Sequence, residues 1–115
     1  MDEKCRLVDT QELMQAYREL WNEGRTVPLV VSGSSMTPFL VSGRDTVYLQ
    51  QPKGRLRRGQ MALYQRKSGA YVLHRVYAAD GDNYVMLGDA QTQLEHGITQ
   101  EQILAVVSGD VIIVL

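Results

Sequence analysis

From Val27 onward the chain breaks into short apolar runs, most of them alternating with polar residues and separated by glycine-bearing segments. Alternation with period two is the pattern of a strand buried on one face. The runs predict strands at Val27–Ser32, Thr46–Gln50, Gln60–Gln65, Tyr71–Ala78, Asn83–Leu87, Ile103–Val107 and Val111–Leu115. Ala79-Asp80-Gly81-Asp82 is suited to a tight hairpin turn. Ser108-Gly109-Asp110 is expected to turn the chain between the last two strands, and Thr99 to cap a helical turn ending at Gln102.

The residues before Val27 follow a different period. Positions 10–23 are expected to be helical, with Asp9 and Glu12 as a capping box and Gly24 as the stop. Leu13, Met14, Tyr17, Leu20 and Trp21 then share one face. That face has no basic flank of the kind a membrane-seeking helix carries, so it is expected to pack on the strands. The fold class is therefore mainly β: a coiled sheet or partly closed barrel preceded by one N-terminal helix. The expected organisation is a tail at 1–9 and a single domain at 10–115, made of the helix at 10–23 and a β part at 27–115. A chain of 115 residues is long enough for one core.

Composition removes several functions. The net charge is −1, which favours neither nucleic acid nor an anionic membrane as partner. The basic cluster Lys53, Arg55, Arg57 and Arg58 has no interleaved aromatics and reads as a solvated hairpin loop. A lone cysteine, Cys5, excludes an internal disulfide and a cysteine-rich metal site. There is no phosphate-binding glycine loop, no dinucleotide fingerprint and no metal-spaced histidine pair, so no cofactor and no metal are expected. No stretch approaches the roughly 20 apolar residues that span a bilayer. The charged start is unlike a secretory signal. The expected location is cytoplasmic, with a peripheral place at a membrane left open.

Against this background one segment carries chemistry. In Val31-Ser32-Gly33-Ser34-Ser35-Met36-Thr37-Pro38-Phe39, serines sit in a tight turn at the end of an apolar run. Such a turn can expose a hydroxyl and aim backbone N–H groups beside it, as a nucleophilic serine requires. The hydroxyl also needs a base. His74, in the strand Tyr71–Ala78, shares a face with Val72 and Val76 and is the candidate. His96, in a polar loop beside Gly97, reads as solvated surface. Asp89 in Leu87-Gly88-Asp89-Ala90 and Glu95 further along the same loop are candidates for the acid that orients the imidazole. Asp45 is expected to hold the turn after the serine segment.

Taken in order, these pieces resemble the signal peptidase I superfamily, which includes the LexA-type self-cleaving repressors. The matching segments are Gly33-Ser34-Ser35-Met36-Thr37-Pro38-Phe39-Leu40, Gly43-Arg44-Asp45-Thr46-Val47, Arg58-Gly59-Gln60, Leu73-His74-Arg75-Val76 and Leu87-Gly88-Asp89-Ala90. The resemblance implies that Ser35, before the methionine, is the nucleophile. It implies His74 in place of the lysine base of bacterial members, as in the archaeal and endoplasmic-reticulum branch. Asp89 matches the acid of the Gly-Asp segment and Glu95 lies near a second acid of that loop, and spacing does not choose between them. The oxyanion would be met by the Ser35 N–H with help from the Ser34 or Ser32 hydroxyl, and Met36 would lie against the substrate.

Three features depart from the pattern: the missing membrane anchor, Gln60 where an aspartate is common, and the extra Ser34. The expected activity is thus a signal peptidase-like serine endopeptidase acting on an extended leader or precursor peptide. A membrane or protein partner could replace the anchor. The alternative is a non-catalytic peptide-binding or interaction module on the same fold. A self-cleaving regulator ranks last, because one helix leaves no room for a helix-turn-helix.

Overall fold

The computed structural model describes residues 3–30 and 46–112, with side chains described at 12–29 and 46–108. The helix α1 (Glu3–Asn22) is followed by strands β1 (Val27–Val30), β2 (Thr46–Gln50), β3 (Met61–Gln65), β4 (Tyr71–Asp80), β5 (Asn83–Leu87), β6 (Glu95–Ile98) and β7 (Ile103–Ile112). A 3-10 turn at Gln100–Gln102 precedes β7. The protein is mainly β, as the alternation requires.

All seven strands form one antiparallel sheet in the order β1-β2-β7-β3-β4-β5-β6. The described sheet is open and not closed into a barrel. It coils instead. Glu95 on β6 hydrogen-bonds Tyr64 on β3, three strands away in that order. A flat sheet would hold strands that far apart at about 14 Å.

β3 lies at the centre and is buried on both faces. Met61 and Leu63 join a cluster with Met14, Trp21, Val47, Leu49 and Ala105, beneath α1. Ala62 and Tyr64 join the opposite cluster, with Val76, Tyr84, Met86, Ile98 and Val106. The alternation of β4 follows this division: Leu73 packs on the first cluster, Val72 and Val76 on the second. His74 is therefore on the second face, as its spacing from Val72 and Val76 predicts.

The helix begins at Glu3, so the expected tail and the start at position 10 are corrected. Asp9 lies inside the helix, and Cys5 belongs to it. No glycine or proline interrupts residues 3–9, and their glutamate, lysine, arginine and leucine favour helix. Gly24 does end α1. With φ +84°, it accepts the left-handed turn in which its N–H reaches the Trp21 carbonyl at 2.9 Å. The Arg25 N–H then reaches the Leu20 carbonyl at 2.9 Å. That pair of bonds is the Schellman cap. Met14, Tyr17, Leu20 and Trp21 face the sheet, but Leu13 is 43% exposed and leaves the expected apolar face. The Trp21 indole N–H donates to the Leu49 carbonyl at 3.1 Å and ties α1 to β2.

Two further expectations change. The last two predicted strands are one, β7, and Ser108-Gly109-Asp110 runs within it. Pairing absorbs the break: between Val47↔Val111 and Leu49↔Val107, two steps along β2 match four along β7. A bulge leaves the extra residues unpaired without turning the chain. Glu95 and His96, expected in a loop, open the strand β6, which pairs Met86 with Glu95 and Tyr84 with Ile98. The β4–β5 hairpin falls where expected, but β4 runs two residues further than Ala78, and Gly81 at φ +63° lies in a two-residue loop after Asp80 pairs Asn83.

The basic segment before β3 is more than a solvated loop. The Arg55 guanidinium donates to the Gly81 and Asp82 carbonyls and lies 5.0 Å from the Tyr84 ring centroid. The Leu56 N–H donates to the Tyr84 hydroxyl at 3.0 Å. These contacts fasten residues 55 and 56 to the β4–β5 hairpin, and Leu56 fills the second core.

Candidate active site

Among the described residues His74 is a buried polar side chain on the second face, 3% exposed. It sits on β4 opposite Ala62 of β3, whose small side chain leaves room for the ring. Two residues along β3, Tyr64 pairs with Val72 and points to the same face. The Tyr64 hydroxyl oxygen is 3.1 Å from His74 Nδ1. The same hydroxyl donates to Glu95 Oε1 at 2.7 Å. Arg66, one residue beyond β3, closes the row. Its Nε and Nη2 donate to the two oxygens of Glu95 at 2.9 and 3.0 Å.

The row Arg66–Glu95–Tyr64–His74 is thus continuous from surface to core. A two-nitrogen fork on a carboxylate fixes its plane as well as its charge. Burial works against the Glu95 carboxylate, but the Arg66 and Tyr64 hydrogen bonds and the Arg66 charge outweigh it, so its pKa falls below the ordinary value. Burial, then the hydrogen bond and charge of Glu95, push the Tyr64 phenol well above its ordinary range. Tyr64 accordingly stays protonated and keeps its single proton on Glu95. Burial lowers the His74 pKa, the Arg66 charge lowers it further, and the Glu95 and Asp89 charges oppose both. The result is a neutral imidazole at neutral pH, the state a general base needs.

A hollow of about 550 Å³ opens beside this row. Arg66, His74 and Glu95 line it together with Ala90, Leu94 and the polar stretch 91–93. His74 is therefore buried in the protein yet borders open space.

Of the sequence candidates, His74 and Glu95 come together, but through Tyr64 and not by direct contact. Asp89 is placed differently. Both of its oxygens are held by Arg75, from Nε at 2.9 Å and Nη2 at 2.8 Å. Arg75 also donates from Nη1 to the Gly59 carbonyl at 2.9 Å. Asp89 acts on His74 as a nearby charge and clamps the end of β5 to β4 and to the turn before β3. His96 is exposed on β6. Ser32, Ser34, Ser35, Met36 and Asp45 lie outside the described residues. Tyr64 and Arg66 were missed by sequence reasoning. The signal was present: Tyr64 alternates with Ala62 in the run Gln60–Gln65, and the short Lys67-Ser68-Gly69 connection sets both against the His74 strand.

Among the described residues no cluster of three histidine, cysteine, aspartate or glutamate side chains could hold a metal ion. No described helix is long and apolar enough to cross a membrane. Comparison with protein-family models, with curated proteins and with solved structures returned no match.

Proposed function

We propose that the protein is a serine endopeptidase in which Ser35 is the nucleophile and His74 the general base. The observation that carries this reading is His74 itself: a neutral histidine on a rigid strand, linked through Tyr64 to an ionised carboxylate and bordering a hollow. The order of segments from Gly33 to Ala90 adds the resemblance to the signal peptidase superfamily.

In the reaction, the Ser35 oxygen attacks a peptide carbonyl carbon while His74 takes the hydroxyl proton. The Ser35 N–H, with the Ser34 or Ser32 hydroxyl, meets the oxyanion. The C–N bond breaks, and His74 returns the proton to the departing amine. Water then attacks the acyl ester with His74 again as base, releasing a carboxylate and restoring Ser35. The substrate is an extended peptide, a leader or precursor segment, bound along a strand edge.

The test is digestion of a pooled peptide library read by mass spectrometry, with wild type, Ser35→Ala and His74→Ala. Cleavage by wild type that both substitutions abolish supports the reading. Cleavage that survives both refutes this catalytic pair. Peptides retained but left intact by wild type favour the binding-module alternative.

A further inference from the structure

We propose that Tyr64 is a positioning residue: it holds His74 as the tautomer with the proton on Nδ1, leaving Nε2 as the basic nitrogen. The number of available protons fixes the tautomer. Tyr64 has one, and Glu95 receives it at 2.7 Å. Glu95 is ionised and forked by Arg66, so it can only accept. The Tyr64 oxygen therefore faces Nδ1 with a lone pair, and the 3.1 Å contact requires Nδ1 to be the donor. A neutral imidazole with its proton on Nδ1 has its lone pair on Nε2. No described residue hydrogen-bonds that second nitrogen.

The row replaces the direct carboxylate–histidine contact of a serine triad by one relayed through a phenol. When Nε2 accepts a proton, the ring becomes cationic and its Nδ1–H faces a hydroxyl polarised by Glu95. The phenol keeps its proton throughout, because its pKa is raised, so the role of Tyr64 is orientation and electrostatics and not proton transfer. Among the described residues, the charged groups that act on the ring are Arg66, Glu95 and Asp89.

The test uses the full chain with ¹⁵N-labelled histidine and long-range ¹H–¹⁵N correlation above the His74 pKa. His96→Gln identifies the signals of the second ring. Wild type is expected to show His74 with a protonated Nδ1 and an unprotonated Nε2. Tyr64→Phe removes the acceptor and should move both nitrogens toward the opposite tautomer. A wild-type ring with its proton on Nε2 overturns the proposal, as does an unchanged spectrum in Tyr64→Phe. The wild-type spectrum decides even if the variant fails to fold. The kinetic arm rests on the peptidase reading. For a peptide that wild type cuts, Tyr64→Phe should lower kcat by roughly 10²-fold, less than the ~10⁴-fold known for a wrong tautomer in a direct triad, with KM little changed. If no peptide is cut, the peptidase reading fails while the spectrum still decides the tautomer.

Discussion

Tyr64 and His74 are diagonal neighbours on one face of the β3–β4 ladder: Tyr64 pairs with Val72, His74 with Ala62, and the two rings meet edge to face with centroids 6.0 Å apart. Diagonal pairs in antiparallel sheets lie within reach of aromatic side chains. Here the register turns that reach into a hydrogen bond, and the coil of the sheet brings Glu95 of β6 onto the same hydroxyl.

The charges around His74 predict a ranking. Glu95 and Asp89 both raise its pKa, and Glu95 acts more strongly. Glu95→Gln should therefore lower the His74 pKa, Asp89→Asn should lower it less, and Arg66→Gln should raise it. Titration of the His74 ring signals by NMR checks the order. A larger shift from Asp89→Asn would contradict the assignment of Glu95 as the acid of the row.

Stability should fall on acidification in two stages. The folded His74 pKa lies below its ordinary 6.5, so the unfolded chain takes up the proton first as pH drops. The contribution is complete above about pH 6.5 and is lost as pH falls through the folded value. Glu95 behaves alike from its ordinary 4.5 downward, because its folded pKa is also depressed. Urea midpoints between pH 8 and pH 2 should decline accordingly, and His74→Gln should lose the first decline. An unchanged first decline in that variant would assign it to another group.

Trp21 is 1% exposed and donates to the Leu49 carbonyl, so Trp21→Phe should cost about 2 kcal/mol from the lost hydrogen bond and the incompletely filled space. Trp21→Ala should cost about 3–5 kcal/mol. Since Trp21 is the single tryptophan, unfolding is followed by circular dichroism. A loss below about 0.5 kcal/mol in the alanine variant would show that α1 contributes little to the first core.

Gly24→Ala should cost about 1 kcal/mol, because an alanine at φ +84° pays a conformational penalty. A Cβ there would meet nothing within 4 Å, so no clash adds to it. Gly24→Asn, which tolerates that region better, should recover part of the loss. Equal losses in the two variants would point to a cause other than backbone strain.

The sequence by itself determined the features that rest on near neighbours. Alternation set the strands and the face of His74; Gly24 ended α1; Gly81 closed the β4–β5 hairpin. Each depends on the conformational preference of a few consecutive residues, so each is written locally. The tertiary structure decided what depends on strands meeting. It joined the two predicted C-terminal strands into β7, because β2 accommodates the extra residues as a bulge. It drew Glu95 and His96 into β6, because β5 offers an edge to pair with. It settled the partners of the two acids that spacing left open: Arg75 holds Asp89, whereas coiling of the sheet carries Glu95 across three strands to Tyr64 and Arg66. The carboxylate that reaches His74 through Tyr64 is set by the curvature of the whole sheet, a property that no short stretch of the chain encodes.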